Sequence, residues 1–244
     1  DMEYDFNTSW YRPTRICHVT SGAMWGWRNG TGKRPEFYPD TLPPVINIGP
    51  GSPTGVAFGY GSKFPAKYQD AMYILDWSWG KIHAVHMKPK GSTYIATKET
   101  FITGSPLPVT DAIIHPGDGA MYFTIGGRRV QSGLYRVTYV GIESTAPVEH
   151  NPNINELTRL RHRLEQFHGR QHSNALNAAW PHWDHPDRCV RWAALTAVQH
   201  QPLAQWKKRA LNEKNHTQRV AALLGLCKVA GADPATGGPD APVS

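Results

Sequence analysis

Up to about residue 150 the apolar residues alternate with polar ones in short runs broken by glycine and proline, whereas beyond it they recur at helical spacing. The alternation predicts strands over residues 14–20, 54–58, 71–76, 81–87 and 94–103, with turn clusters such as Lys90-Gly91-Ser92 between them. A further set follows at 110–114, 121–125 and 133–140, punctuated by Pro116-Gly117-Asp118-Gly119 and Gly126-Gly127-Arg128-Arg129. After a linker at 144–152, Leu157, Leu160, Leu164 and Phe167 mark one face of a helix that Asn153 or Asn155 can cap. Further helices are predicted over 173–183, 187–200, 203–213 and 217–229, with Pro186, Pro202 and Gly231 at starts and stops. Their expected core is Val190, Ala194, Leu195, Val198, Trp206, Leu211, Val220, Leu223 and Leu226.

Each half repeats itself. Ala71-Met72-Tyr73-Ile74 returns as Ala120-Met121-Tyr122-Phe123, and Ile82-His83-Ala84-Val85 as Leu134-Tyr135-Arg136-Val137. The offset of about 50 residues is that of one β-propeller blade. Arg191-Trp192-Ala193-Ala194-Leu195 returns as Arg219-Val220-Ala221-Ala222-Leu223, an offset of about 28 residues that suits a short two-helix solenoid unit. The fold class expected is therefore a partial β-propeller of about two to three blades plus all-α HEAT-like helical repeats. The domains expected are residues 1–143, the C-terminal part of a propeller; 144–152, a linker; 153–231, the helical repeat; and 232–244, a disordered tail. Two to three blades do not close a ring, so missing blades are expected upstream and the chain reads as a fragment.

Composition sharpens this picture in three places. The formal charge of +7 divides as +2 over residues 1–150, +7 over 151–231 and −2 over 232–244, so the helical part carries the basicity. Such a surface suits nucleic acid, anionic lipid or an acidic protein, but Lys and Arg also commonly form the solvated face of a solenoid, and no nucleic-acid partner is expected. Cys17, Cys189 and Cys227 are too scattered for a disulfide framework or zinc site and are expected as small buried apolar residues. No apolar run approaches the length of about 18 residues that a membrane span needs, and no CxxCH haem attachment occurs.

The candidate chemistry falls in four groups. Asp76-Trp77-Ser78-Trp79-Gly80-Lys81 sits in a turn between strands, where loops can line a propeller's channel mouth. There Trp77 and Trp79 can stack on the C–H face of a polyol while Asp76 and Lys81 address its hydroxyls. The simpler alternative is that Asp76 ties down the turn and the tryptophans wedge neighbouring blades. Arg15, His18, Trp25, Trp27 and Arg28 form a second group, with His18 a candidate general base. Just upstream, Asp1, Glu3 and Asp5 offer oxygen ligands to calcium without the spacing of a known loop. Arg128 and Arg129 in a glycine-rich hairpin suit an anionic cofactor. Trp180, His182, Trp183 and His185 suggest a metal or haem site, but a tryptophan-rich core between repeats accounts for them more simply.

The segments Tyr11-Arg12-Pro13-Thr14-Arg15-Ile16-Cys17-His18-Val19-Thr20-Ser21-Gly22-Ala23, Phe64-Pro65-Ala66-Lys67-Tyr68 and Asp76-Trp77-Ser78-Trp79-Gly80-Lys81-Ile82 resemble the glucose/sorbosone dehydrogenase-type propeller. Over residues 1 to about 230 the chain resembles the planctomycete and verrucomicrobial-type membrane-bound dehydrogenases, in which HEAT-like repeats and then a c-type cytochrome domain follow the propeller. Soluble quinoprotein sugar dehydrogenases are similar in the two blades. There a lysine and two arginines hold the quinone PQQ, at positions that fall on Ser78, Pro108 and Thr110 of this chain.

The resemblance implies an extracytoplasmic, periplasmic oxidoreductase module that oxidises a sugar or other polyol and passes electrons to a cytochrome domain outside this chain. The family's base histidine falls in an earlier blade outside this chain, so it is the residues themselves, rather than the resemblance, that offer His18 and Asp76 as catalytic candidates and Lys81, Arg128 and Arg129 as the cations of another PQQ pose, with calcium as a further cofactor. Trp77, Trp79, Trp27 and Arg28 would hold substrate. The alternative is a non-catalytic scaffold that captures carbohydrate or protein.

Overall fold

The computed structural model describes residues 13–23, 27–28, 32–33, 41–127, 129–149 and 154–231. Two compact units divide the chain: Asp1–Ile16, Pro44–Pro89 and Tyr94–Asn153 make the first, and Cys17–Pro43, Lys90–Thr93 and Ile154–Ser244 the second. The first is built of antiparallel sheets, none of which closes on itself, and the second carries most of the helices.

In the first unit, β1 (Thr14–Ile16) pairs with β4 (Ile46–Gly49). A four-stranded sheet follows in the order β5 (Pro53–Phe58), β6 (Met72–Asp76), β7 (Lys81–Lys90) and β8 (Thr93–Thr103). The short helix α1 (Ala66–Gln69) lies between β5 and β6 in the chain. A three-stranded sheet places β10 (Met121–Gly127) between β9 (Val109–Ile114) and β11 (Val130–Val137). The strands of the first internal repeat thus occupy equivalent places: β6 and β10 are central, and β7 and β11 return beside them.

Strand parity explains why β6 is buried along its whole length. Tyr73 and Leu75 point to one face and join Ile82, Ala84, Met121, Phe123 and Ile125 in a core between sheets. Met72 and Ile74 point to the other, where they meet Val85 and Ile48, with Ile16 and Ile46 packed alongside. Strand β6 is therefore covered on both faces, and β10 on one, with Tyr122 and Thr124 only partly buried between its inward residues. Strand β1 is shorter than the predicted run over 14–20: from Cys17 onward the chain belongs to the second unit.

The second unit contains the two-stranded ribbon of β2 (Trp27–Arg28) and β3 (Gly32–Lys33) and the helices α2 (Glu156–Glu165), α3 (Ala175–Ala179), α4 (Arg188–Gln199), α5 (Leu203–Leu211) and α6 (His216–Val229). A 3-10 turn at Trp180–His182 extends α3. Side-chain caps set three of the starts: Asn155 accepts from Thr158 N–H, Asp187 from Val190 N–H and Asn215 from Gln218 N–H. Trp180, Trp183, Val190, Ala194, Leu195, Val198 and Trp206 form the core. Three residues expected inside, Leu211, Val220 and Leu223, are instead exposed. Of the cysteines, Cys189 is buried, Cys17 is half-buried and Cys227 lies on the surface, so only the first behaves as expected. Burial pushes the Cys189 thiol up to about 11.

Candidate functional site

The turn between β6 and β7 is organised by one carboxylate. Asp76 ends β6 and is only 3% exposed. Its Oδ1 accepts three backbone N–H groups, from Ser52 at 3.2 Å, Ser78 at 3.0 Å and Trp79 at 3.3 Å. These bonds tie the Asp76 carboxylate to the backbone of the turn. Gly51 is required beside it, because a Cβ there would lie 2.7 Å from Asp76 Oδ2. Trp77 Nε1–H donates to the Gly126 carbonyl at 2.9 Å, joining this turn to the corresponding β10–β11 turn of the next sheet. Gly80 takes a positive φ of 59° to complete the turn, and Trp79 is left 54% exposed. One indole is therefore committed to the frame, and the other offers a free ring face.

Of the other predicted residues, Lys81 and Arg129 belong to the sheet unit with Asp76, and Trp27 and Arg28 to the helical unit. Lys81 pairs with Asp76 in the β6–β7 register and is partly buried. Arg129 sits exposed at the β10–β11 hairpin with φ of 59°. Trp27 and Arg28 form β2. Arg15 is buried in β1. Arg128, Trp25 and the acidic group Asp1, Glu3 and Asp5 lie outside the described residues. His18 belongs to the helical unit and Asp76 to the sheet unit.

A residue not singled out in the sequence shares the face of Asp76. His83 lies opposite Ile74 in β7, two residues beyond Lys81, which puts Lys81 and His83 on one side of the strand. It is 6% exposed, and its Nδ1 has no hydrogen-bond partner among the described residues. Burial lowers its pKa, Lys98 adds to the effect and Asp76 opposes it. The signal was the parity Lys81, His83, Val85, which the repeat alone did not bring out.

In the helical unit, His18 joins a polar group around the turn Lys90–Thr93. His18 Nδ1 lies 3.0 Å from Thr93 Oγ1. Its pKa is lowered, by burial first and then by the Arg161 guanidinium. Arg161, buried itself, donates to the Ser92 carbonyl at 3.1 Å and pairs with Glu165. Asp187 accepts Ser92 N–H and Ser92 Oγ–H, each at 2.7 Å, while also capping α4. Burial alone would raise the Asp187 pKa, but the bonds from Ser92, Val190 and Cys189 outweigh it and hold the carboxyl below its ordinary value. Asn155 Nδ2 donates to the Gly91 carbonyl at 2.8 Å. His18 is thus part of a clamp on one tight turn. Trp180 and Trp183 likewise form core, with ring centroids 3.9 Å apart, and His182 and His185 stand edge-on at 6.0 Å.

No family model matches the chain, and no curated protein matches it. Among solved structures, it is similar to a Thermus thermophilus protein described as a candidate oxidoreductase (glucose dehydrogenase), with a TM-score of 0.41 and 18% identity. The match covers 52% of this chain and 37% of that one, so the chain spans little more than a third of that structure's length.

Proposed function

We propose that the chain is a module of an extracytoplasmic oxidoreductase acting on a sugar or other polyol. In this reading the sheet unit is a run of consecutive propeller blades, the helical unit is a HEAT-like repeat, and the electrons pass to a c-type haem domain outside this chain. The single structural observation supporting it is the bond from Trp77 to Gly126, which links equivalent turns of two repeated sheets, as successive blades require. The kind of reaction rests on the resemblance of the motif segments that include this turn.

Within such an enzyme, Asp76 positions the turn and Trp79 offers its exposed indole to the apolar face of a sugar ring. The quinone mode of the resembling enzymes does not fit these residues. Ser78 and Thr110 carry no charge, Thr110 Oγ1 is paired with Thr124 Oγ1 at 2.7 Å, and the Pro108 carbonyl is taken by Gly126 N–H. The carboxylates of PQQ would meet no cation at any of the three positions. A second reading, the non-catalytic carbohydrate- or protein-binding scaffold, draws support from the same commitment of the Asp76 carboxylate to backbone amides.

A dye-linked oxidation assay of the gene product against a panel of sugars and polyols, with and without PQQ and calcium, separates the two. Turnover is expected, and Trp79→Ala should raise KM about tenfold with kcat little changed, because the exposed ring contributes binding rather than chemistry. Silence from a folded protein across the panel would overturn the dehydrogenase reading in favour of the scaffold.

A further inference from the structure

Ser21 and His168, 147 residues apart in the chain, meet within the helical unit with Ser21 Oγ 2.7 Å from His168 Nδ1. The other ring nitrogen, His168 Nε2, lies 2.9 Å from the Ala193 carbonyl oxygen. A carbonyl only accepts, so in the neutral ring Nε2 carries the proton and Nδ1 keeps its lone pair. Ser21 is then the donor of the shared hydrogen bond, and the imidazole faces its hydroxyl as a base. Burial, the largest influence, lowers the His168 pKa; the Ala193 carbonyl and Glu165 oppose it and His200 adds to it, and the net downward shift favours the unprotonated ring.

Helix α4 holds both partners. It supplies the Ala193 carbonyl that orients the imidazole, and Trp192, whose Nε1–H donates to the Gly22 carbonyl at 2.6 Å. It also supplies Thr196, whose Cγ2 would lie 2.7 Å from a Cβ on Gly22. Gly22 takes a φ of 68° in a turn closed by Ala23 N–H donating to the Thr20 carbonyl at 3.1 Å, and Ser21 stands exposed at the turn. The bond from Trp192 already ties this turn to α4. What the Ser21–His168 pair adds is a solvent-facing hydroxyl backed by a base that a third group orients, the arrangement that activates a serine for attack. We propose that Ser21 is a nucleophile and His168 its general base in a second activity of this chain, the hydrolysis of carboxylic esters. Gly22 is pressed against α4, so the acyl carbon approaches from the solvent side, which suits small, unhindered acyl groups. Ser21 Oγ adds to the acyl carbon as its proton passes to His168 Nδ1, and the imidazolium returns that proton to the departing alcohol oxygen as the C–O bond breaks. Water, deprotonated by the same nitrogen, then releases the acid from the serine ester, and the proton restores the Ser21 hydroxyl. No electrons are exchanged, so this activity stands or falls independently of the oxidoreductase reading.

The test treats the chain with a fluorophosphonate, whose phosphorus takes an activated serine oxygen with loss of fluoride, and locates the adduct by mass spectrometry of peptides. Hydrolysis of p-nitrophenyl acetate is followed in parallel. The adduct is expected on Ser21, and it should form faster as pH rises through the range in which His168 loses its proton. Ester hydrolysis should fall to background in Ser21→Ala. In His168→Asn, adduct formation at Ser21 should slow about 10²-fold or more, the scale of a lost general base. Helical circular dichroism checks that both variants are folded; if His168→Asn is not, the pH profile of the wild-type adduct and the Ser21→Ala hydrolysis rate decide. No adduct on Ser21, or an adduct rate constant over about pH 5–8, would overturn the proposal. So would a folded His168→Asn labelled as fast as wild type, or Ser21→Ala hydrolysing the ester undiminished, since the hydrogen bond would then be a tie between turn and helix alone.

Discussion

Asp187→Ala is expected to cost the helical unit about 3 kcal/mol, because it removes an N-cap together with charge-assisted bonds that leave the Ser92 donors unmatched. The carboxylate accepts Ser92 N–H, Ser92 Oγ–H and Val190 N–H, so no neighbouring group replaces it. Gly91→Ala should disturb the same contact from the other side: Gly91 has φ of 59°, and a Cβ there would fall 2.1 Å from Asp187 Oδ2. Urea unfolding followed by helical circular dichroism measures both. The Asp187 contribution also has a pH signature. Its folded pKa is depressed, so the stabilisation is fully present above the unfolded carboxyl pKa and is lost as pH falls through the folded value. The difference between wild type and Asp187→Ala should therefore be constant near neutrality and shrink in acid. A difference that grows in acid would contradict the assigned hydrogen bonds.

Trp180→Ala should be the more damaging core change, at about 3–5 kcal/mol. The indole is 1% exposed and packs at a tilt against Trp183, carries the Arg209 guanidinium 4.1 Å from its centroid and donates to Glu213 at 2.8 Å. Trp180→Phe keeps much of the apolar area but not the N–H donor and should cost about 1–2 kcal/mol. Glu213 reports on this separately. Its pKa is held low first by the Asn215 amide and then by Trp180, so in Trp180→Phe it should move toward the ordinary carboxylate value. Equal losses in the two variants would mean that the hydrogen bond, rather than the packed ring, holds this part of the core.

The elements were legible in the sequence because they follow local periods. Alternation located β5, β6 and β7, and the three- and four-residue spacing with Asn155 and Asp187 as caps located α2 and α4. What the spacing does not carry is the choice of distant partner. Ser92 and Asp187 are 95 residues apart, and Trp192 donates to the Gly22 carbonyl across 170. This is why residues 17–43 and 90–93 group with the helices, and why His18, a candidate general base in a predicted strand, lies in their polar clamp. Val220 and Leu223 show the reverse limit: helical spacing marks a face as apolar but does not say whether this chain covers it. At Asp76 the sequence left catalysis and turn-fixing both open, and the hydrogen bonds favour turn-fixing.

The most direct test of the proposed oxidoreductase, with Asp76 as a positioning residue rather than its acid or base, is kcat of Asp76→Asn in the dye-linked assay. All three amides bond to Oδ1, which asparagine retains, so the account predicts a folded variant with kcat within a few-fold of wild type. Loss of a general acid or base removes about 10²–10⁴ in rate; a drop of that size in a folded Asp76→Asn protein would contradict the account and return Asp76 to the chemistry.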